Sequence, residues 1–124
     1  MSTLRVSTIQ DTAGSNSSTP AAIANGICKA WVNFNGSGTV AIRASYNVSS
    51  ITDNGVGDYT LNFTNALADA NYTWSSGVTW STTYGGLVFV DNTYSPTTTS
   101  LRIYSMSTGY NFGDATRITV AINR

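Results

Sequence analysis

Six aspartates are the only acidic side chains in this chain of 124 residues, which has no histidine and no glutamate. One cysteine, Cys28, and one lysine, Lys29, complete the groups most used in proton transfer and nucleophilic attack. A Ser-His-Asp or Cys-His arrangement therefore cannot be built, a zinc site would have a single soft ligand, and no glycine-rich loop is followed by a lysine to hold phosphates. What remains is the segment DNGVGD, in which Asp53 and Asp58 flank a turn and could act as paired carboxylates or grip Ca²⁺ with the loop oxygens. The spacing matches no EF-hand, and Asp before Asn-Gly is what hairpin turns favour for backbone reasons, so the turn is the stronger reading. The expectation is a protein that is not an enzyme and uses no cofactor or metal.

Aromatic side chains are the other candidates for chemistry, here the chemistry of binding. Trp74, Trp80, Tyr84, Tyr94 and Tyr110 lie in or beside stretches rich in Gly, Thr and Ser at 81–85, 92–99 and 107–114. Exposed Trp and Tyr faces beside Asn and Asp hold sugar rings or grip a partner, whereas the competing use is to fill a core or a subunit interface. Trp80, Tyr84, Tyr94 and Tyr110 are taken as candidate receptor or glycan contacts. Trp74 and Trp80 are separated by an even offset, which in one uninterrupted strand would put both on the inward face unless Gly77 breaks the phase.

The elements that must position these residues are strands. Only 10% of the chain is charged while 41% is hydrophobic, and Thr, Ser, Asn and Gly crowd the remainder, which disfavours helix and supports a packed core. Alternation places Cys28, Ala30, Val32 and Phe34 on one face with Trp31 on the wetter one; Val40, Ile42, Ala44, Tyr46 and Val48 repeat the period. Tyr59, Leu61 and Phe63 follow the Asp53–Gly57 turn as the second arm of a hairpin, and further strands are expected at 72–80, 86–91, 100–106 and 116–123. The fold class is all-β, about eight short antiparallel strands in a sandwich or jelly-roll-like domain over residues 27–124. Residues 1–26 read as an N-terminal arm and linker: a short or bulged strand within 3–10, the turn-rich DTAGSNSSTP, and one helical turn after Pro20.

Composition also limits partners. Six basic residues balance six acidic ones without a basic cluster, which argues against nucleic acid, and no apolar run approaches the ~20 residues of a membrane span. The first ten residues lack the charged-then-apolar order of a signal peptide, so synthesis and retention in a cytoplasm are expected. A net charge of zero on a β-rich chain favours self-association.

Several strings carry a resemblance. Ser2-Thr3-Leu4-Arg5-Val6 with Ile9-Gln10-Asp11-Thr12, the block KAWVNFNG at 29–36, the block VSSITDNG at 48–55 with Gly57-Asp58-Tyr59-Thr60, then Ala70-Asn71-Tyr72 and Val120-Ala121-Ile122 resemble small proteins and fibre-tip domains of marine and cyanobacterial tailed phages. The likeness is close over residues 1 to about 73, thin from Trp74 to Gly113, and returns in the last strand. It implies a virion structural protein that works as a homotrimer: a tail-fibre or receptor-binding module showing variable loops to the host surface, or alternatively a capsid decoration or head-fibre protein whose partner is the particle. In that picture the arm, through Leu4, Val6 and Ile9, attaches to other virion proteins or knits subunits together. Cys28 and Asn123 depart from the residues usual in such proteins.

Overall fold

The arm folds on itself. In the computed structural model, which describes residues 1–81 and 85–124, the expected strand within 3–10 shrinks to β1 (Ile9–Gln10), paired with β2 (Ser17–Ser18). Asp11 closes the turn between them, its carboxylate accepting from Ser15 N at 2.9 Å and from Asn16 Nδ2 at 2.7 Å. Helix α1 (Pro20–Gly26) starts with proline at a position where no amide donor is needed, and the Thr19 hydroxyl caps it by accepting from Ala22 N at 3.1 Å. Leu4, Val6 and Ile9 remain exposed and, with Ile23 and Ile27, surround an open groove of about 510 Å³. No residue of 1–26 belongs to the core.

The remaining strands are β3 (Cys28–Asn35), β4 (Ala41–Tyr46), β5 (Val48–Gly55), β6 (Asp58–Phe63), β7 (Thr73–Thr79), β8 (Gly86–Phe89), β9 (Ser100–Ser107) and β10 (Arg117–Asn123). They form two antiparallel sheets, β4-β3-β10-β7 and β5-β6-β9-β8, packed face to face as a sandwich. Strict alternation supplies the core: Ala30, Val32 and Phe34 from β3 and Ile118, Val120 and Ile122 from β10 meet Tyr59, Leu61 and Phe63 from β6 and Leu101 and Ile103 from β9. Phe34 and Tyr59 make the central bridge between sheets, edge to face with centroids 5.2 Å apart.

One expected strand is two. The run Val40–Val48 breaks at Asn47, whose φ of 54° turns the chain from one sheet to the other. Its side chain holds the crossing, donating to Lys29 O at 3.2 Å and accepting from Asn65 N at 2.8 Å. A bulge opposite Asn33 and Phe34 leaves Arg43 unpaired in the ladder and shifts the phase of β4. Ile42 points inward as expected, but Ala44 and Tyr46 face outward with Trp31 and Asn33, and Tyr46 is 57% exposed. Cys28, expected on the face opposite the wetter one, is half-buried, its thiol directed at the carbonyls of Ala30 and Ile122.

The registers give the sandwich two unlike ends. Cys28 lies opposite Asn123, so both chain ends leave from one end. At the other, Gly36 N donates to Ala115 O at 2.9 Å and Ser105 N to Gly57 O at 2.8 Å, gathering the β3–β4, β5–β6 and β9–β10 connections. There the Tyr59 hydroxyl donates to Asp114 Oδ1 at 2.7 Å, and the same carboxylate oxygen accepts from Gly57 N at 2.8 Å.

Burial raises the phenol pKa of the two core tyrosines, Tyr59 and Tyr72. Tyr72 is pushed up to about 12 by desolvation, and Tyr59 higher still by desolvation and by its hydrogen bond to the Asp114 carboxylate. Both folded values stand above the unfolded value of about 10, so the folded state holds these protons more tightly. Their contribution is complete below about pH 10 and is lost as pH rises through 10 to 12 and beyond. Urea midpoints measured by circular dichroism should therefore stay level to about pH 9 and fall steeply above pH 10; a flat profile to pH 12 would contradict the burial of these hydroxyls.

Candidate functional site

The outer face of sheet β5-β6-β9-β8 is where aromatic side chains collect. Alternation in β9 sends Leu101, Ile103 and Ser105 inward, so Arg102, Tyr104 and Met106 must face out. The register then lays down two rows, Leu87 beside Met106 beside Phe112, and Phe89 beside Tyr104 beside Asp58. Phe89 and Tyr104 are stacked with centroids at 5.5 Å, and Phe112 joins them at 6.2 Å and 5.7 Å.

A third row begins at Arg102. Its guanidinium forks onto Asp58, with Nε 2.8 Å from Oδ1 and Nη2 2.5 Å from Oδ2, which reinforces its protonated state. Tyr94 covers the other side, its ring centroid 3.7 Å from the guanidinium carbon. A turn at Asp91 delivers that tyrosine: Thr93 N donates to Asp91 Oδ1 at 2.6 Å and Tyr94 N to Asp91 O at 3.2 Å. Thr93, through its side chain and then its amide, holds the Asp91 carboxyl below its ordinary pKa. Desolvation raises the pKa of the Tyr104 phenol.

Beyond Arg102 the same face turns polar. Asn54 Nδ2 donates to Thr60 Oγ1 at 2.9 Å, and Asn62 Nδ2 bridges Ser50 Oγ and Thr52 Oγ1 at 3.0 and 2.9 Å. One face thus holds an aromatic half, an arginine clamp and a ladder of amides and hydroxyls. It can offer flat apolar area and directed hydrogen bonds together, the combination that anchors recognition surfaces.

The candidates read from sequence separate here. Tyr94, 43% exposed, belongs to the patch. Tyr110, 82% exposed with φ of 60°, stands on the turn after β9, held by its amide donating to Ser107 O at 3.0 Å. Trp80 instead plugs the end of the sandwich, packed on the core and against the backbone of Gly86 and Gly113. Tyr84 lies outside the described residues. Trp74 shares the inward phase with Val78, but β7 is an edge strand and its ring sits half out at the rim. Leu4, Val6 and Ile9 stay with the arm, around its own groove.

Asp53 and Asp58 do not act as a pair. Register places Asp53 opposite Tyr59 on the inward phase, where it caps its own turn by accepting from Gly55 N at 3.0 Å, while Asp58 faces outward onto Arg102. No three metal-ligating side chains come together among the described residues. Phe89, Tyr104, Phe112 and Arg102 were not singled out from sequence; the readable signal was a strand, LRIYSM, whose wet face carries Arg, Tyr and Met.

Compared with models of known protein families, with curated proteins and with solved structures, the chain matches none of them.

Proposed function

We propose that this chain is a structural module of a tailed-phage virion, assembled in the host cytoplasm as a homotrimer, that serves as a tail-fibre or receptor-binding unit. The observation that carries the reading is the outward cluster of Phe89, Tyr104 and Phe112 beside the Tyr94–Arg102–Asp58 clamp. Aromatic residues and arginine are the side chains that dominate recognition energies. The phage-like blocks of the first half supply the context, and the arm, departing from the end away from the β9–β10 turn, supplies a means of attachment to other virion proteins.

A capsid-decoration or head-fibre role is the second reading. Exposed Leu4, Val6 and Ile9 around an apolar groove favour it, because such a surface suits docking on the particle.

Labelled protein should adsorb to host cells or to an array of host-surface glycans. Tyr104→Ala and Tyr94→Ala should each lower that binding about 30-fold, the equivalent of about 2 kcal/mol, with the fold retained by circular dichroism. Absence of binding to any host surface, together with label distributed regularly over phage heads, would replace the first reading by the second.

A further inference from the structure

On the opposite side of the molecule, the outer face of sheet β4-β3-β10-β7 carries an open groove of about 390 Å³. Small-ligand clefts run from ~300 to 1,000 Å³. Two successive cross-strand rows build it: Trp31, Ala121 and Ser75, then Asn33, Thr119 and Gly77. Trp31 is 39% exposed and stands beside outward-facing Tyr46, so an aromatic ridge borders a floor of small side chains.

Two further features shape the groove. Asn33 lines the groove, and its Oδ1 is fully buried without a hydrogen-bond partner among the described residues. Native interiors seldom leave such an atom unmatched. Gly77 sits in the middle of β7, where glycine weakens a strand, and its missing side chain leaves the floor open against Thr119.

We infer that this groove is a binding site for a neutral oligosaccharide, with one pyranose ring laid on Trp31 and its hydroxyls meeting the Asn33 amide, Thr119 and Ser75. Among the described residues no charged side chain lines the groove, so nothing there would pair with the carboxylate of a uronic or sialic acid. The groove runs over a sheet face whose backbone groups are already paired within the ladders, so an extended peptide could not add as a strand. Beyond Trp31 and Tyr46 the face offers mainly Thr, Ser, Asn, Ala and Gly, with Arg117 opposite Thr79 one row past the groove, too little apolar area for the core of a stable contact with a second copy. The inference stands independently of the aromatic patch on the other sheet.

Titration of ¹⁵N-labelled protein with cellohexaose, maltohexaose and chitotetraose, followed by ¹H–¹⁵N spectra, tests it. At least one should move the Trp31 indole resonance, identified by its loss in Trp31→Phe, and an oligogalacturonate should not. Trp31→Ala and Gly77→Val should each weaken binding at least tenfold, and Trp31→Phe less. Silence with all three sugars, equal binding of the acidic chain, or wild-type affinity in both Trp31→Ala and Gly77→Val would overturn the site. So would self-association, seen by sedimentation in the wild type and lost in Trp31→Ala. Loss of sugar binding only in Tyr94→Ala would transfer it to the other face and likewise overturn this one.

Discussion

Gly57→Ala is expected to lower folding stability by about 3 kcal/mol or more, while Gly38→Ala costs about 1 kcal/mol. Both glycines occupy the left-handed region, with φ of 67° and 68°. A methyl at Gly38 would meet nothing within 4 Å, so only the backbone penalty of roughly 1–2 kcal/mol applies. At Gly57 a methyl would lie 2.6 Å from Ser105 O and 2.7 Å from Gly113 N, backbone atoms that cannot swing aside. Relief would require separating β5–β6 from the β9–β10 connection, breaking Ser105 N to Gly57 O and loosening the Asp114 carboxylate from Gly57 N and Tyr59. Urea denaturation of the two variants gives the comparison, and equal losses would show that the close approach contributes nothing.

Phe34→Ala should be more damaging still, by about 3–5 kcal/mol, against a total stability of ~5–15 kcal/mol for an ordinary domain. Phe34 is fully buried and its ring is the edge-to-face partner of Tyr59 across the two sheets. The void cannot collapse easily, because β3 is central in its sheet, held by β4 on one side and β10 on the other. Tyr59→Phe should cost much less, since the ring contact survives and Asp114 keeps the Gly57 amide. Urea midpoints should therefore rank wild type, then Tyr59→Phe, then Phe34→Ala; an inverted order would place the weight on the hydroxyl.

Much of this core was legible because alternation is a direct consequence of strand geometry. Cys28–Phe34, Tyr59–Phe63 and Ile118–Ile122 carry period-two patterns long enough to fix which face is inward, and the sandwich follows. The pattern misleads where a single residue enters or turns the chain. Arg43 at the bulge and Asn47 at the crossing simply continue the polar phase that Ser45 shares, and nothing in their types announces that Tyr46 will face out.

The aromatic patch was hidden for a different reason. GLVFVD is apolar on both phases, so its faces could not be assigned without its partner strand. Only pairing with β9 shows that Leu87 and Phe89 are outward while Val88 packs on the core. Proximity in sequence to Gly- and Thr-rich loops grouped Tyr94, Tyr110 and Trp80 together, yet the first two are exposed while the ring of Trp80 packs on the core. The Trp31 groove drew on three strands far apart in sequence, and its floor of Ala, Thr, Ser and Gly has no signature until the register aligns it.

The placement of both chain ends at one end of the sandwich also decides how the domain would bear force. A tether at Ile27 and a load on the Tyr110 turn pull β3 and β10 from opposite ends, so the six facing residue pairs between them are strained together in shear. Pulling instead on Ile27 and Arg124 would open the same ladder rung by rung from Cys28 and Asn123. Each rung is worth only about 1 kcal/mol, so loading them in parallel is what would let so small a domain resist tension along its long axis.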